Sequence, residues 1–179
     1  MVLKVDETEA LAEAALPLDA LRAQMRLPEG YDAVPSQTGR LGQRLRAAIV
    51  GIERRLGLMT VTRAVVLRGP GGAARMRLPF GAGSVLVSVE AAEGEDWAPV
   101  AGGRIEAEGE GAVLVLPAPP RGAVRVTIRA GFGAWDAVPA PLAQAVLLEA
   151  EGLETGMRQA VAIEALIAPW RRRRLGAWA

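Results

Sequence analysis

The residues best able to recognise a partner lie at the end of this 179-residue chain, where a tryptophan precedes four consecutive arginines. The last residues run Ala168-Pro169-Trp170-Arg171-Arg172-Arg173-Arg174-Leu175 and finish with Trp178-Ala179. Arginine offers a planar fork of hydrogen-bond donors and tryptophan a large apolar face, and both types are enriched where proteins bind one another. We therefore interpret this segment as a docking tail whose contact residues are Trp170, Arg171, Arg172, Arg173, Arg174, Leu175 and Trp178.

The arginine run also has less specific interpretations. Such runs are often solvated, or bind nucleic acid without sequence preference, and four phosphate contacts would give a logarithmic salt slope of about −3.6. A net charge of +1 and a single lysine, Lys4, argue against a dedicated DNA-binding protein. The two tail tryptophans would alternatively pack back onto the helical part of the chain. DNA binding through the C-terminal arginines remains the alternative function.

Catalytic chemistry has few candidate residues, because the chain contains neither histidine nor cysteine. These absences exclude disulfides, thiolate nucleophiles, triad histidines and the usual zinc ligands. The glycine clusters contain no Gly-x-Gly-x-x-Gly at a strand-to-helix junction and no Walker lysine. Glu106, Glu108 and Glu110 alternate around Gly109 and would suit a carboxylate metal site, but one wet strand face or a hairpin tip is the better interpretation. We predict no enzyme, no cofactor and no metal.

The apolar pattern divides the chain into zones, of which residues 1–57 form the N-terminal helical part. One short helix is predicted over Pro17–Met25. A longer one starts near Pro35-Ser36 with Ser36 as cap, and its apolar residues keep steps of three and four, as in a helix with one buried face. Those residues are Leu41, Leu45, Ala48, Ile49, Ile52 and Leu56. The first 16 residues are acidic and alanine-rich and carry no strong fold signal.

Residues 58–133 change to a period of two. Val124, Val126 and Ile128 alternate with polar residues, as in a strand with one wet face. The run Val85, Val87 and Val89 predicts a similar strand, and clusters of glycine and proline separate these segments. Short strands at this spacing predict a small antiparallel sandwich or barrel inserted into a helical core.

Residues 134–168 are helical again, and residues 169–179 form the tail. One apolar stripe joins Leu142, Val146, Ala150, Leu153 and Met157, and Glu154 with Arg158 is a favourable i,i+4 pair. A last short helix carries Val161, Ala165 and Leu166. The predicted class is α+β, with about four helices and the β insertion. With no long apolar run and no leader, we expect a soluble, intracellular protein.

Four segments, in this order, resemble the head–tail connector, or adaptor, proteins of long-tailed bacteriophages and gene transfer agents. The closest match is a strand ending in Ala130-Gly131-Phe132-Gly133, followed by a helix that begins Val138-Pro139-Ala140-Pro141-Leu142. The other three are the opening helix Leu16–Arg26, the leucine-proline turn of Met76–Pro79 with the strand that follows it, and the closing motif Ala165–Arg171. The family more often has tyrosine where Trp170 stands, and its arginine run is shorter.

The resemblance implies a structural protein of a virion or gene transfer agent particle, assembled in the bacterial cytoplasm. Such proteins form a ring, usually dodecameric, beneath the portal of the filled capsid. The ring extends the DNA channel, and packaged DNA passes through it without sequence-specific binding. The C-terminal segment reaches the portal protein, and the opposite surface meets the next tail component, a stopper or tail terminator. No membrane is involved.

Overall fold

The computed structural model describes residues 1–28, 31, 35–81, 83–109 and 111–171. The chain divides into two compact units. The β unit comprises Met1–Ala10 and Val61–Phe132, and the helical unit comprises Leu11–Thr60 and Gly133–Ala179. The predicted α+β class is confirmed, since the described residues form four α-helices and two antiparallel sheets.

The strands all lie in the β unit and the helices in the helical unit. The strands are β1 (Lys4–Thr8), β2 (Arg63–Gly69), β3 (Arg75–Arg77), β4 (Val85–Glu93), β5 (Asp96–Pro99), β6 (Arg104–Glu108), β7 (Gly111–Val115) and β8 (Val124–Ala130). The helices are α1 (Leu18–Gln24), α2 (Pro35–Leu56), α3 (Ala140–Thr155) and α4 (Ala160–Ile167).

The larger sheet has the strand order β1-β2-β8-β4-β5, and the smaller has the order β3-β7-β6. Strand β8 is central, and its alternation is as predicted: Val124, Val126 and Ile128 are buried. Because β8 pairs with β2 along its whole length and with β4 on its other side, this strand holds the larger sheet together.

The N-terminal residues form a strand, whereas the division made from sequence placed all of residues 1–57 in a helical part. Strand β1 pairs with β2, and just before it the Leu3 amide donates to the Arg77 carbonyl at 3.0 Å. The first eight residues therefore pair with both sheets. All five residues of β1 are exposed, so the strand lacks the alternation by which a sequence reveals a half-buried strand.

The first half of β4 differs from the predicted alternation. Of the three valines in the predicted alternation, only Val89 is buried, whereas Val85 is 62% exposed and Val87 57% exposed. The pairing of β4 with β8 shifts register between Leu86 and Ser88, which is a β-bulge. A bulge inserts one unpaired residue and so breaks the period of two that the sequence suggested.

Helix α2 buries the predicted face against the core of the helical unit, including Leu41, Leu45 and Ile49. It begins at Pro35, so Ser36 lies in the first turn rather than at the cap. At the other end, Glu53 is buried and accepts hydrogen bonds from the Thr60 amide at 2.7 Å and the Thr60 hydroxyl at 2.8 Å. This carboxylate fixes the chain that leaves α2.

Helix α3 confirms part of the predicted stripe. Leu142, Val146 and Ala150 are buried, whereas Leu153 and Met157 are exposed. The helix ends where Gly156 adopts the left-handed conformation with φ of 78°, so Met157 lies beyond it. The same helix end alters the charge pairing.

The predicted pair of Glu154 with Arg158 is replaced by other ion pairs. Glu154 pairs with Arg40 at 2.6 Å and with Arg44 at 3.3 Å, and both arginines belong to α2. Arg158 pairs with Glu149 instead, at 3.1 Å. The i,i+4 rule failed here because the helix ends before Arg158, so the two residues do not share one helical face.

Candidate functional site: the C-terminal docking segment

Helix α4, which leads into the tail, is apolar on nearly every face but is only partly buried. Its sequence from Ala160 to Ile167 contains one charged residue, Glu164, and yet only Ile163 and Ile167 are buried. A helix that is apolar all round is ordinarily buried on all sides. The exposed side of α4 is therefore a candidate contact surface.

The most exposed apolar side chains of the described residues lie at the start of this helix. Val161 is 86% exposed, and Met157, just before the helix, is 74% exposed. Sequence reasoning placed Met157 in a buried stripe and gave no sign that Val161 faces water. The overlooked signal was that α4 has only one polar residue, Glu164. A helix of this composition exposes apolar surface unless another surface covers it, and Ile163 and Ile167 account for only one side.

A chain of alternating charges connects α2, α3 and α4 to the first tail arginine. Glu149 of α3 lies between Arg158, at 3.1 Å, and Arg55 of α2, at 3.8 Å. Arg55 also pairs with Glu164 at 3.5 Å, and Glu164 pairs with Arg171. Glu149 is buried, and a buried carboxylate is tolerated only when it is paired. Through Glu164, these ion pairs connect Arg171, the first arginine of the tail, to the helices of the helical unit.

The described part of the tail is therefore engaged within the chain. Residues Ala168–Trp170 form one turn of 3-10 helix in which Trp170 is half-buried. Arg171 is exposed and pairs with Glu164. Of the tail residues named from sequence, only Trp170 and Arg171 are described; Arg172, Arg173, Arg174, Leu175 and Trp178 lie outside the described residues.

The acidic strand β6 pairs with arginines. Glu106 contacts Arg75 at 3.0 Å and Arg104 at 2.7 Å, and Glu108 contacts Arg75 at 3.5 Å. Glu110 lies outside the described residues. Among the residues that are described, no group of three acidic side chains is arranged to hold a metal ion. Glu106 is half-buried and Glu108 is exposed, and each is held by arginine ion pairs.

The larger sheet carries a second charged cluster. Arg125 of β8 donates from Nε to Glu90 of β4 at 2.7 Å, and its guanidinium lies 4.7 Å from the ring centroid of Trp97. This hydrogen bond lowers the pKa of Glu90 and raises the pKa of Arg125. The pKa of Glu106 is lowered in the same way, by its hydrogen bonds from Arg75 and Arg104.

We expect the substitution Glu90→Gln to destabilise the β unit at neutral pH but not in acid. A carboxyl whose pKa is lower in the folded state stabilises that state above its unfolded pKa, which is about 4.3 for glutamate. The stabilisation disappears as the pH falls through the folded-state pKa. Urea unfolding of wild type and variant from pH 7 to pH 3 measures the difference. The matched control is Glu93→Gln, at an exposed hairpin position of the same strand. If the free energy of unfolding of Glu90→Gln differed from that of wild type by the same amount at every pH, the ionised Glu90 carboxylate would not be the stabilising group.

No protein-family model and no curated protein matches the chain. Solved structures do. One chain in the neck of an empty gene transfer agent (GTA) particle, computed with C6 symmetry, is 29% identical with a TM-score of 0.79, and the match covers 97% of this chain and 98% of that one. The chain is built like the neck chains of gene transfer agent particles.

Two further structures extend the likeness. A chain of the virion of a native GTA particle is 28% identical with a TM-score of 0.76, and the match covers 97% of each chain. A chain in the neck of a native GTA particle, computed with C12 symmetry, is 27% identical with a TM-score of 0.73, over 97% of this chain and 98% of that one. Because these likenesses extend from end to end, they support a structural role for the chain at the head–tail junction of a particle. None of the described helices is long and apolar enough to cross a membrane.

Proposed function

We propose that the chain is the head–tail adaptor of a gene transfer agent or phage particle. In this role it forms a ring, a dodecamer, between the portal of the capsid and the tail, and the ring extends the DNA channel. The observation that carries the proposal is the end-to-end likeness to neck chains, one of them in a neck computed with C12 symmetry. The ring has a structural role and performs no catalysis.

The proposed partners follow from this position. Copies of the chain bind one another around the ring, the portal protein binds one face, and a stopper or tail terminator binds the other. Packaged DNA passes through without sequence-specific contacts. The ring assembles in the bacterial cytoplasm and remains part of the particle.

Portal docking is assigned to the tail, residues 169–179, together with the exposed side of α4. The tail supplies arginines and tryptophans, and α4, the helix that leads into the tail, adds the exposed Val161. An interface usually has an apolar centre and a polar rim, and this combination of side chains provides both. In the docked state the arginines meet portal carboxylates, and Trp170 or Trp178 serves as the apolar anchor.

Ring symmetry strengthens such a contact. A segment of about ten residues offers a small interface, so one copy would bind the portal weakly. When the copies are joined in a ring, each further tail binds at a high effective concentration, and the combined affinity exceeds that of a single tail by orders of magnitude.

Removing the gene for the chain from a producing cell tests the proposed function. We expect DNA-filled heads and separate tails, because the piece that joins them is missing. Expression of the full chain from a second copy of the gene should restore joined particles. Electron microscopy of purified particles provides the measurement. Normally tailed particles made without the chain would refute the adaptor role.

A further inference from the structure

Besides the outer side of β5, the larger sheet of the β unit has two edges without a strand partner among the described residues. One edge is β1, which pairs with β2 on its inner side only. The other is the first half of β4, since β5 pairs only with Glu90–Glu93. Residues 85–88 therefore offer backbone donors and acceptors along their outer side. Backbone groups of this kind are satisfied by an added strand.

Strand direction makes these two edges compatible with each other. Neighbouring strands are antiparallel throughout β1, β2, β8 and β4. Strand β1 consequently runs opposite to β4. If two copies are related by a rotation about an axis roughly along the strands, β1 of one copy lies antiparallel to β4 of the next. The alternation of the sheet then continues across the boundary between copies.

Exposed apolar side chains occur on both edges. Of the ten large apolar residues that are exposed in the described part of the chain, Val5 lies on β1, and Val85 and Val87 lie on the free half of β4. Natural edge strands are usually blunted by charges or proline, as β5 is by Asp96 and Pro99. The first half of β4, Val85-Leu86-Val87-Ser88, has neither.

Charge is also complementary across the two edges. Arg129 lies beside Val85 in the sheet, is exposed and has no ion pair among the described residues. Strand β1 brings the carboxylate of Glu7, whereas that of Asp6 is already paired with Arg68 at 2.6 Å. Side chains at Glu7 and Val85 project from the same face of the sheet, because Glu7 pairs with Val66 and Val85 with Arg129, and both partners lie on one face.

We propose that β1 of one copy adds to the free half of β4 of the next copy, so that the larger sheets join into one continuous antiparallel sheet around the ring. This inference rests on the proposed function, because it assumes that copies assemble around an axis. A rotational ring needs two different, complementary patches on each copy, and β1 and β4 are such a pair. The neck computed with C12 symmetry, which holds a similar chain, makes a second copy the natural occupant of these edges.

The dimensions suit a closed ring. Strands in a sheet lie about 4.8 Å apart, so the four neighbouring strands β1, β2, β8 and β4 add about 19 Å per copy. Twelve copies, the number implied by C12 symmetry, would then close a ring about 73 Å across at the same spacing.

Paired cysteines test the contact, and the chain contains none of its own. The double variant Glu7→Cys with Val85→Cys, in the full chain mixed with the portal protein, should form covalent multimers on mild oxidation. Each single variant should give none, and neither should the control pair Glu7→Cys with Val50→Cys, since Val50 is exposed on α2. Denaturing gels without reductant show the result. A second double variant, Lys4→Cys with Val87→Cys, tests a shifted register of the same two strands. If both double variants give only monomers, the inference is overturned.

A charge at the β4 edge provides an independent test. Val87→Lys should abolish rings while circular dichroism stays unchanged, because the side chain is already largely exposed. Val50→Lys, at an exposed apolar position of α2 outside the proposed docking surface, should leave ring contacts intact. If wild type forms a ring on the portal and Val87→Lys does so equally, this inference fails while the adaptor role stands. If wild type ignores the portal and forms no ring, both fail.

Discussion

A chain that ends at Arg171 should fold as the full chain does and should fail to bind the portal. The truncation removes Arg172, Arg173, Arg174, Leu175 and Trp178 but keeps the pair of Arg171 with Glu164. Every described contact of the helical unit therefore remains. Because binding around a ring multiplies the contribution of each tail, the loss should exceed a hundredfold in apparent affinity, about the lower end of the gain from multivalency.

Co-sedimentation with the portal measures this loss, and the melting temperature of the free chain serves as the folding control. A variant with Arg172, Arg173 and Arg174 replaced by alanine separates charge from apolar contact, since Leu175 and Trp178 remain. We expect wild-type binding to weaken as salt is added and the residual binding of the triple variant to be less sensitive to salt. Truncated chains that bind the portal as well as wild type would exclude residues 172–179 from docking.

Gly131→Ala should be among the most destabilising single substitutions in the β unit. Gly131 follows β8 with φ of 136°, and a Cβ atom there would lie 2.5 Å from both the Cα and the amide nitrogen of Thr62. These are backbone atoms that cannot rotate away. Strain and overpacking together should lower the free energy of unfolding by about 3 kcal/mol.

Gly83→Ala is the matched control for this prediction. Gly83 also has a positive φ, of 103°, but, its two chain neighbours aside, no described residue lies within 4 Å of the position a Cβ would occupy. Its cost should be limited to the backbone strain, about 1–2 kcal/mol. Urea unfolding of the two variants provides the comparison. If both variants lowered the free energy of unfolding equally, the close approach of the Thr62 backbone would not add to the cost of Gly131→Ala.

Helix α2 and the central strand β8 were predictable because their apolar residues keep a strict period. The buried face of α2 and the alternation of β8 both follow from burial on one side, which sequence records directly. The glycine at position 131 of the Ala130–Gly133 motif is explained by the close approach of the Thr62 backbone, which leaves no room for a side chain.

The remaining features depend on tertiary contacts that leave no local pattern. Strand β1 is exposed along its length, and only its backbone pairing with β2 makes it a strand. The bulge in β4 turns Val87 to solvent, although the sequence alternates. In the docking segment, the aromatic and basic residues were evident from composition. The ion pairs of Arg55 with Glu149 and Glu164 join residues far apart in the chain and required the fold.

Imaging the chain with the portal protein of its own particle would test the central claim most directly. The two proteins are mixed, sedimented together and examined by negative-stain electron microscopy. We predict a ring of this chain stacked on one face of the portal, coaxial with its channel. A soluble monomer that ignores the portal, and instead retards DNA in a salt-sensitive manner, would contradict the adaptor role and favour DNA binding through the C-terminal arginines.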